Sequence, residues 1–421
     1  MPSNLAEWLS YLESLHPKTI ALGLERVAQV KQRLNLDPDF PVIVVGGTNG
    51  KGSVCALLES ILHAAGYKVG CYTSPHLLHY NERVRIGKRQ ASDAELCASF
   101  ERIEQARGDI PLTYFEFGTL AAMQCFIGHK VDVAILEVGL GGRLDAVNVF
   151  DNDCAVVTSV DIDHTDYLGE TREQIAFEKA GIFRSGKVAI CADTNVPQAI
   201  RDHAQHIGAE LWCLAGEFGF KQHQGQWDYF GKVGTRNSLP YPALRGAFQL
   251  YNASAVLAAL DALKDRLPVS MAAVRRGLVE VQLAGRFQVV PGRPQLILDV
   301  AHNPHAARSL AQNLAALPPA KTFAVFAMLK DKDMAGVAQA LDPHIDSWLV
   351  AGLAMPRGAG AEELAQVLRN TGVRGAVMAF DSVAAALHHA CDVAGENDRI
   401  AAFGSFHTVA EAMAARGLRI P

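Results

Sequence analysis

Short apolar runs alternate with amphipathic stretches along the chain from Val42 onward. This alternation is typical of a parallel sheet that is covered by helices on both faces. Capping-box patterns at Ser92 and Thr171 predict the starts of two helices, and Lys51–Ala65 has the pattern of another. The predicted strands are Val42–Val45, Lys68–Tyr72, Asp132–Glu137, Ala155–Ser159 and Val188–Cys191. We therefore expect an α/β fold with a doubly wound sheet.

A second alternating series begins at Gln295 and predicts a second, smaller doubly wound domain. Between the two series, residues 215–234 lose helical period and gain glycine and aromatic residues, which predicts hairpins, and an alanine-rich helix is predicted over Ala247–Lys264. With the boundary near Leu283–Phe287, we expect domains over residues 1–284 and 285–421. The predicted strands of the second domain are Gln295–Val300, Thr322–Ala327, Ser347–Ala351, Ala376–Phe380 and Arg399–Phe403.

Composition narrows the possible functions. The 421 residues are 49% hydrophobic and 20% charged, which is typical of a globular protein, and the length favours two domains. The formal net charge is −5 and there is no dense Lys/Arg run, so we expect no nucleic-acid or membrane partner. Eight scattered cysteines contain no C-x-x-C pair, and the N-terminus lacks the pattern of a secretory leader. We expect a cytoplasmic protein with reduced thiols.

The stretch Val42–Ser53, V-I-V-V-G-G-T-N-G-K-G-S, runs from an apolar strand into a glycine-rich turn. The common phosphate-binding loop reads G-x-x-x-x-G-K-[ST], whereas here Gly52 separates Lys51 from Ser53. A flexible surface turn would have similar residues. The strand before it and the helix after it favour a phosphate site, because backbone N–H groups and the helix dipole would face an anion there.

Polar residues follow three further strands of the first domain. Ligands bind outside the carboxyl ends of strands in open parallel sheets, so Ser74, Glu137 and His164 should lie on the same edge as the glycine-rich loop. Each has an ordinary structural explanation, as a turn residue, a helix cap or a structural histidine. Together they predict a Mg²⁺ site, since Mg²⁺ takes few protein ligands along with waters and phosphates.

Four other residues carry a candidate role with an equally ordinary alternative. Lys179 has the pattern of a solvated helix lysine, and Arg286 could pair with a surface carboxylate or bridge the two domains at the presumed hinge. Asp299 and His302 follow the first strand of the second domain, where such a sheet meets its ligand. Helix capping by Asp299 or by Asn303 before Pro304 explains the same pattern.

Eight motifs in order resemble those of the folylpolyglutamate synthases within the Mur ligase superfamily, from near residue 15 to Ala410. The extra glycine of the phosphate loop is part of this resemblance. The segment T-Y-F-E-F-G-T at residues 113–119 resembles the bacterial bifunctional form, which is both dihydrofolate synthase and folylpolyglutamate synthase. The motifs are G-T-N-G-K-G-S, Y-T-S-P-H-L with N-E-R-V-R-I, L-E-V-G-L-G-G-R-L-D-A-V-N, D-H-T-D-Y-L-G, E-K-A-G-I, A-G-R-F-Q, D-V-A-H-N-P and G-S-F-H-T-V.

The resemblance implies a P-loop-type central ATPase domain and a smaller C-terminal Rossmann-like domain. It implies an enzyme that uses ATP and two Mg²⁺ ions to phosphorylate a substrate carboxylate, after which the amine of L-glutamate attacks the acyl phosphate. Dihydropteroate would give dihydrofolate, and a folate would gain glutamate on its γ-carboxylate. Members of the family suggest a monomer.

The resemblance also implies roles for individual residues. Lys51, Lys179 and His302 would act in catalysis, with Lys179 carbamylated as a ligand of a second Mg²⁺, and Ser74, Glu137 and His164 would hold the first Mg²⁺. The nucleotide would contact Asn49, Gly50, Lys51, Gly52, Ser53, Asn252, Arg286 and Asp299. The pterin substrate would contact Thr113, Tyr114, Phe115, Glu116, Leu144, Asp145 and Ala146.

Three alternatives fit parts of the sequence. A folylpolyglutamate synthase without the dihydropteroate activity would share the ATP and glutamate chemistry, and another Mur-type ligase would join an amino acid to a different carboxylate. A GTP-dependent switch protein could use the phosphate loop, with Asp166–Gly169 matching a D-x-x-G motif. The chain has no N-K-x-D guanine-binding motif, which disfavours the switch.

Overall fold

A computed structural model describes residues 2–16, 21–246 and 248–420, and these residues form two compact units. The first unit contains residues 1–243 and 250–281, and the second contains residues 244–249 and 282–421. Both units are built on mostly parallel sheets with helices packed against them, so the predicted α/β fold is confirmed.

The main sheet of the first unit has eight strands within the described residues, in the order β4-β3-β2-β5-β1-β6-β7-β8. Strands β2, β5, β1, β6, β7 and β8 run parallel, while β3 and β4 pair antiparallel at one edge. The predicted strands are all present, with ends shifted by one or two residues. The strands are β1 (Val42–Gly46), β2 (Val69–Tyr72), β3 (Val84–Ile86), β4 (Arg89–Gln90), β5 (Val133–Glu137), β6 (Cys154–Val157), β7 (Val188–Cys191) and β8 (Glu210–Cys213).

The central strands are apolar along their whole length because both faces of the sheet are covered. Every residue of β1 is buried, and the same holds for β2, β5 and β6. The helices of this part of the chain are α1 (Leu5–Ser14), α2 (Glu25–Leu34), α3 (Lys51–Ala64), α4 (Asp93–Arg107), α5 (Tyr114–His129), α6 (Thr165–Leu168), α7 (Arg172–Ala180), α8 (Gln198–Ile207), α9 (Gln249–Ala262) and α10 (Met271–Glu280). Short 3₁₀ turns span Tyr80–Arg83 and Ala146–Val149.

The predicted hairpins form a small antiparallel sheet. Its strands are β9 (Phe218–His223), β10 (Gln226–Gly231) and β11 (Gly234–Leu239), with β10 in the middle. The alanine-rich helix that follows is α9, whereas its predicted first residue, Ala247, lies outside the described residues. The capping boxes predicted at Ser92 and Thr171 are confirmed at the starts of α4 and α7.

The sheet of the second unit has six strands within the described residues, in the order β12-β13-β17-β14-β15-β16. All pairs are parallel except β12 with β13. The strands are β12 (Gln288–Val290), β13 (Gln295–Asp299), β14 (Thr322–Phe326), β15 (Ser347–Ala351), β16 (Ala376–Phe380) and β17 (Arg399–Phe403). The helices are α11 (Pro304–Ala315), α12 (Met334–Leu341), α13 (Ala361–Thr371), α14 (Val383–Val393) and α15 (Phe406–Ala415), with a 3₁₀ turn over Asp342–His344.

Each unit has an apolar core of its own. In the second unit the core lies between the sheet and α11 to α13, with Phe326, Trp348 and Phe403 in contact at its centre. Among the described residues, no helix is both long and apolar enough to cross a membrane.

Candidate active site

The glycine-rich loop Gly47–Ser53, hereafter the glycine loop, joins β1 to α3. Gly47 has φ +140° and Gly50 has φ +89°, conformations that side-chain-bearing residues rarely adopt. A Cβ atom on Gly47 would lie 1.9 Å from Oγ1 of Thr158, and one on Gly50 would lie 2.7 Å from Oδ1 of Asn252. The structure therefore places Asn252 against the glycine loop, as the nucleotide hypothesis requires.

The loop is held by the segment after β6. The backbone N–H of Thr48 donates to the carbonyl of Ser159 at 2.7 Å, and the Thr158 hydroxyl donates to the carbonyl of Asn49 at 2.6 Å. Lys51 folds back over the loop, with Nζ 3.0 Å from the Gly47 carbonyl and 3.2 Å from the Thr48 carbonyl. A cation is thus fixed at the N-terminus of α3, where the helix dipole also attracts an anion.

Glu137 ends β5 and pairs in register with Val45, the residue before the last residue of β1. Its carboxylate is buried at 4% exposure and accepts the backbone N–H of Ser74 at 3.1 Å. The hydroxyl-bearing residue and the carboxylate that were predicted on one edge are therefore adjacent. Both are oxygen donors of the kind that Mg²⁺ prefers.

His164 lies after β6, at the start of α6, in a left-handed conformation with φ +51°. Its side chain is one-third exposed, and its backbone N–H donates to Oδ1 of Asp163 at 2.9 Å. The strands β5, β1 and β6 are neighbours in the sheet and run parallel. His164 follows the carboxyl end of β6 and Glu137 ends β5, so both residues lie on the same side of the sheet, beyond or at the strand carboxyl ends.

Lys179 is buried in α7 at 3% exposure, so the interpretation as a solvated helix lysine is wrong. Burial and, to a smaller extent, the charge of Lys51 lower the pKa of Lys179 to about 7, against the opposing effects of Asp163 and Asp145. These four charged groups therefore lie within electrostatic range of one another. About half of the amines with such a pKa are neutral, and thus nucleophilic, at pH 7.

The residues Thr113–Glu116 open α5 and form its N-terminal cap. The Thr113 hydroxyl accepts the backbone N–H of Glu116 at 3.2 Å, while the Glu116 carboxylate accepts the N–H of Thr113 at 2.7 Å. Glu116 also pairs with Arg26, at 3.0 Å. The Phe115 ring packs over Gly139, where a Cβ atom would come within 2.8 Å of it. Tyr114 contacts the Tyr80 ring edge to face, with the guanidinium of Arg83 against both rings.

Asp145 lies in the turn after β5 and is buried at 4% exposure. Its carboxylate accepts three backbone N–H groups, from Gly139, Leu140 and Val147, at 2.9 to 3.1 Å. Burial raises the pKa of Asp145 to about 7 in spite of these hydrogen bonds and the charge of Lys51. The neighbouring Leu144 carbonyl accepts the N–H of Gly23, and Ala146 is buried in the 3₁₀ turn, so this segment is rigidly held.

The second unit brings together Arg286, Asp299 and His302. The Asp299 carboxylate accepts the N–H groups of Phe287 and Ala301, both at 2.8 Å. Burial raises the pKa of Asp299, while the charge of Arg286 and these hydrogen bonds oppose the shift. Nδ1 of His302 lies 2.8 Å from the Val300 carbonyl.

Phe406 links these side chains further. The Arg286 guanidinium lies 5.0 Å from the centre of the Phe406 ring, and the His302 ring also contacts it at 6.3 Å between centres. The capping alternative is also partly right, because Asn303 caps α11 by accepting the N–H of Ala306 at 2.9 Å. Asp299 is not that cap.

Several residues of the site were not predicted from the sequence. Thr158 and Ser159 position the glycine loop, Asp163 acts electrostatically on Lys179, and Arg26 anchors Glu116. The rule that strand carboxyl ends form the site would have included Thr158 and Ser159, which follow β6 directly, and Asp163, which lies further along the connection from β6 to α6. Arg26 lies in α2, and nothing in its local pattern indicates its partner.

The described residues contain no cluster of three His, Cys, Asp or Glu side chains that could hold a metal ion by themselves. The residues predicted for the metal instead offer a mixture of groups, the Ser74 hydroxyl, the Glu137 carboxylate and the His164 imidazole, at or beyond the carboxyl ends of strands in the first sheet. Such a set fits a cation that keeps waters and substrate phosphates among its ligands.

Comparison with known proteins gives full-length matches. Residues 45–260 match the Mur ligase middle domain, and residues 285–406 match the Mur ligase glutamate ligase domain. The chain is 50% identical to the dihydrofolate synthase/folylpolyglutamate synthase of Escherichia coli (strain K12), over 98% of this chain and 95% of the relative.

Comparison with solved structures also gives matches over nearly the whole chain. Escherichia coli FolC in complex with DHPP and ADP has a TM-score of 0.95 and 49% identity, over 99% of each chain. A bifunctional folylpolyglutamate synthase/dihydrofolate synthase with Mn, AMPPNP and L-glutamate bound has a TM-score of 0.92 and 49% identity, over 99% of this chain and 98% of that one.

Proposed function

Because this chain belongs to the Mur ligase family, with dihydrofolate synthase/folylpolyglutamate synthases as full-length relatives, we propose that it joins L-glutamate to dihydropteroate and to the γ-carboxylate of folates, using ATP. It is an ATP-dependent ligase that works with a divalent metal. The observation that carries the proposal is the identity of 50% over 98% of this chain and 95% of the relative.

In the proposed reaction, a carboxylate oxygen of the acceptor attacks the γ-phosphorus of ATP and ADP leaves, which gives an acyl phosphate. The amine of L-glutamate then attacks the acyl carbon, phosphate leaves, and the amine nitrogen loses a proton as the amide forms. Both steps bring anionic groups together. The enzyme must therefore supply positive charge at fixed positions.

The glycine loop holds the triphosphate in this proposal. Asn49, Gly50, Gly52 and Ser53 surround it with backbone and side-chain donors, and Lys51 turns from the loop carbonyls to the phosphates. Asn252 lies against Gly50 and contacts the nucleotide from α9. Lys51 then stabilises the charge that develops on the transferring phosphoryl group.

In the proposal, Ser74, Glu137 and His164 would hold Mg²⁺, which would supply positive charge to neutralise the phosphates. Glu137 positions this site because the buried carboxylate is already fixed by the N–H of Ser74. In the proposal, the neutral form of the buried Lys179 amine attacks CO₂ and releases one proton, which gives a carbamate with a negative charge. That anion is the ligand proposed for a second Mg²⁺.

The pterin acceptor binds along the start of α5 and the turn at residues 144–146 in the proposal. The rings of Tyr114 and Phe115 provide stacking surfaces, and the Asp145 and Glu116 carboxylates accept hydrogen bonds from the pterin ring. In the second unit, Arg286 and Asp299 bind the nucleotide and His302 lies close to the reacting groups.

We also propose that the protein is cytoplasmic and monomeric. Size-exclusion chromatography with light scattering would test the monomeric state.

The experiment that tests the function is ADP release by the purified protein with MgATP and L-glutamate. Parallel reactions contain dihydropteroate, tetrahydrofolate or no acceptor. Turnover with both acceptors supports the bifunctional enzyme, and turnover with tetrahydrofolate alone reduces it to a folylpolyglutamate synthase. Activity with neither acceptor points to another Mur-type ligase, and hydrolysis that needs no acceptor revives the nucleotide switch.

A further inference from the structure

A depression of about 580 Å³ lies at the amino ends of the strands of the second unit. Thr322 and Arg399 are the first residues of β14 and β17, and Asp346 directly precedes β15; all three line the depression. Asp299 is the last residue of β13 and His302 follows it, so both lie at the carboxyl ends of the strands, opposite to the depression. The depression is therefore separate from the ligand edge of this unit.

Arg399 is the feature that distinguishes this depression from an ordinary surface groove. It begins a central strand and is 6% exposed, yet it forms no ion pair within the described ranges 2–16, 21–246 and 248–420. Its Nη2 donates to the Pro318 carbonyl at 2.9 Å, and its Nη1 reaches the Thr322 hydroxyl only at 3.5 Å. Its Nε–H is buried with no hydrogen-bond partner among the described atoms.

A buried guanidinium keeps its charge, so its desolvation must be offset by an anion or by a full set of acceptors. Two acceptors serve a group with five N–H donors. Burial lowers the pKa of Arg399, in line with this incomplete compensation. Arg399 thus provides a fixed and incompletely compensated cation in the lining of the depression.

The other charged residues around the depression are already engaged. The Asp342 carboxylate accepts the backbone N–H of Arg374 at 2.8 Å and its Nε–H at 3.0 Å. The Asp346 carboxylate accepts the backbone N–H of Thr322 at 2.7 Å. These two carboxylates limit the negative charge that the depression tolerates, so a compact oxyanion fits better than a polyphosphate.

We propose that this depression binds a small oxyanion, a carboxylate or a phosphate, with the guanidinium of Arg399 as its main partner. The planar fork of arginine matches two oxygens of such a group. The site is distinct from the nucleotide and substrate sites proposed above and does not depend on them.

The test uses the full-length protein saturated with MgADP, so that the glycine loop is occupied by the nucleotide and does not bind the added phosphate. The Nε–H resonance of Arg399, assigned with Arg399→Lys, is followed by NMR during titration with phosphate, acetate or chloride at constant ionic strength. We expect a saturable shift with phosphate, or with phosphate and acetate, which also identifies the oxyanion. An equal response to chloride, or no saturable shift, overturns the proposal.

Thermal unfolding provides the second readout, because a ligand that binds only the folded state raises the melting temperature. Arg399→Met should lower oxyanion affinity about tenfold or more and abolish the phosphate-dependent rise. Arg293→Met is the matched control, since Arg293 lies just before β13 at the same edge of the sheet but is 76% exposed. Loss of the rise in both variants, or in neither, overturns the proposal. If Arg399→Met does not fold, Arg399→Lys and the wild-type NMR titration decide.

Discussion

The glycine loop in the first unit and the loop Asp299–Asn303 in the second both lead from a buried parallel strand to a helix, yet their chemistry differs. The first contains two left-handed glycines and a lysine folded back onto loop carbonyls. The second uses the backbone N–H of Ala301 to fix the Asp299 carboxylate, and Asn303 caps its helix. One loop is built around a cation and the other around an anion.

The comparison shows that position in a doubly wound sheet does not set the role of a loop. Both loops lie where such sheets bind ligands. In the glycine loop, side-chain-free positions let backbone and lysine approach an anionic ligand closely. In the second loop, the N–H of Ala301 donates to Asp299, and the N–H of Phe287 donates to the same carboxylate from outside the loop, so the further partner of Asp299 must be a hydrogen-bond donor or a cation such as Arg286. The predictions below test that contrast.

The largest effect is expected at the cation of the glycine loop. Lys51→Met should lower kcat/KM about a thousandfold or more, because it removes the charge that faces the phosphoryl group. Stability should change little, since Lys51 donates only to two loop carbonyls among its described hydrogen bonds. The measurement is ADP release with thermal unfolding alongside. Lys187→Met, which removes an exposed lysine paired with Asp153, is the control, and turnover within tenfold of wild type would contradict the role of Lys51.

Lys179 extends the contrast to the charges around the glycine loop. The pKa of Lys179 in the folded protein is about 7, below its ordinary value of 10.5. Between these pH values the unfolded chain holds a proton on Lys179 that the folded chain lacks, so the free energy of unfolding rises with pH. Below pH 7 the folded chain must hold the same proton, so the full destabilisation from burying the ammonium group remains. Lys179→Met should therefore be more stable than wild type at pH 6, by on the order of 3 kcal/mol, with a smaller gain at pH 9.

Urea unfolding in CO₂-free buffer at both pH values measures that difference. Turnover of Lys179→Met should fall about a hundredfold, since the proposed carbamate cannot form. Lys187→Met serves again as the control. A stability gain of the same size at pH 6 and pH 9 would show that burial of the ammonium group is not its source.

Much of the fold follows from the sequence because apolar runs and capping boxes are local signals. All the strands of both sheets that were predicted are present, and Ser92 and Thr171 cap their helices. The antiparallel strands β3, β4 and β12 were missed, since two or three residues are too few to show a period, and the parallel edge strand β8 was missed as well. Strand order could not be read either, because it depends on contacts between distant segments.

In the candidate site, too, the features that depend on local sequence could be predicted and those that depend on distant contacts could not. The glycine loop and Glu137 follow strands directly, so their edge of the sheet could be predicted. Burial of Lys179 could not, because the pattern of one helix does not show what packs over it. The contact between Asn252 and Gly50 is likewise set by tertiary structure, as these residues are about two hundred positions apart.

Asp299 tests the anionic side of the comparison. Asp299→Asn replaces one acceptor oxygen by an NH₂ group, so the N–H of either Phe287 or Ala301 loses its partner. We expect the second unit to lose about 1–3 kcal/mol of stability and nucleotide affinity to fall about tenfold. Calorimetric unfolding and nucleotide titration measure the two effects. Asp398→Asn removes a carboxylate that accepts the N–H of Gly395 away from the loop, and an equal loss of affinity there would contradict a specific role for Asp299.

The smallest effect separates backbone strain from contact in the glycine loop. Gly50 and Gly66 have similar positive φ angles, +89° and +95°, but a Cβ atom on Gly50 would meet Asn252 whereas one on Gly66 meets nothing within 4 Å. Alanine at either position should cost about 1–2 kcal/mol of stability through strain. Only Gly50→Ala should also weaken nucleotide binding, about fivefold, because it displaces Asn252 from the loop. Equal affinities of the two variants in nucleotide titration would mean that the glycine loop tolerates a side chain at Gly50. The glycine loop would then differ from the loop at Asp299 through the cation of Lys51 rather than through close approach of its backbone.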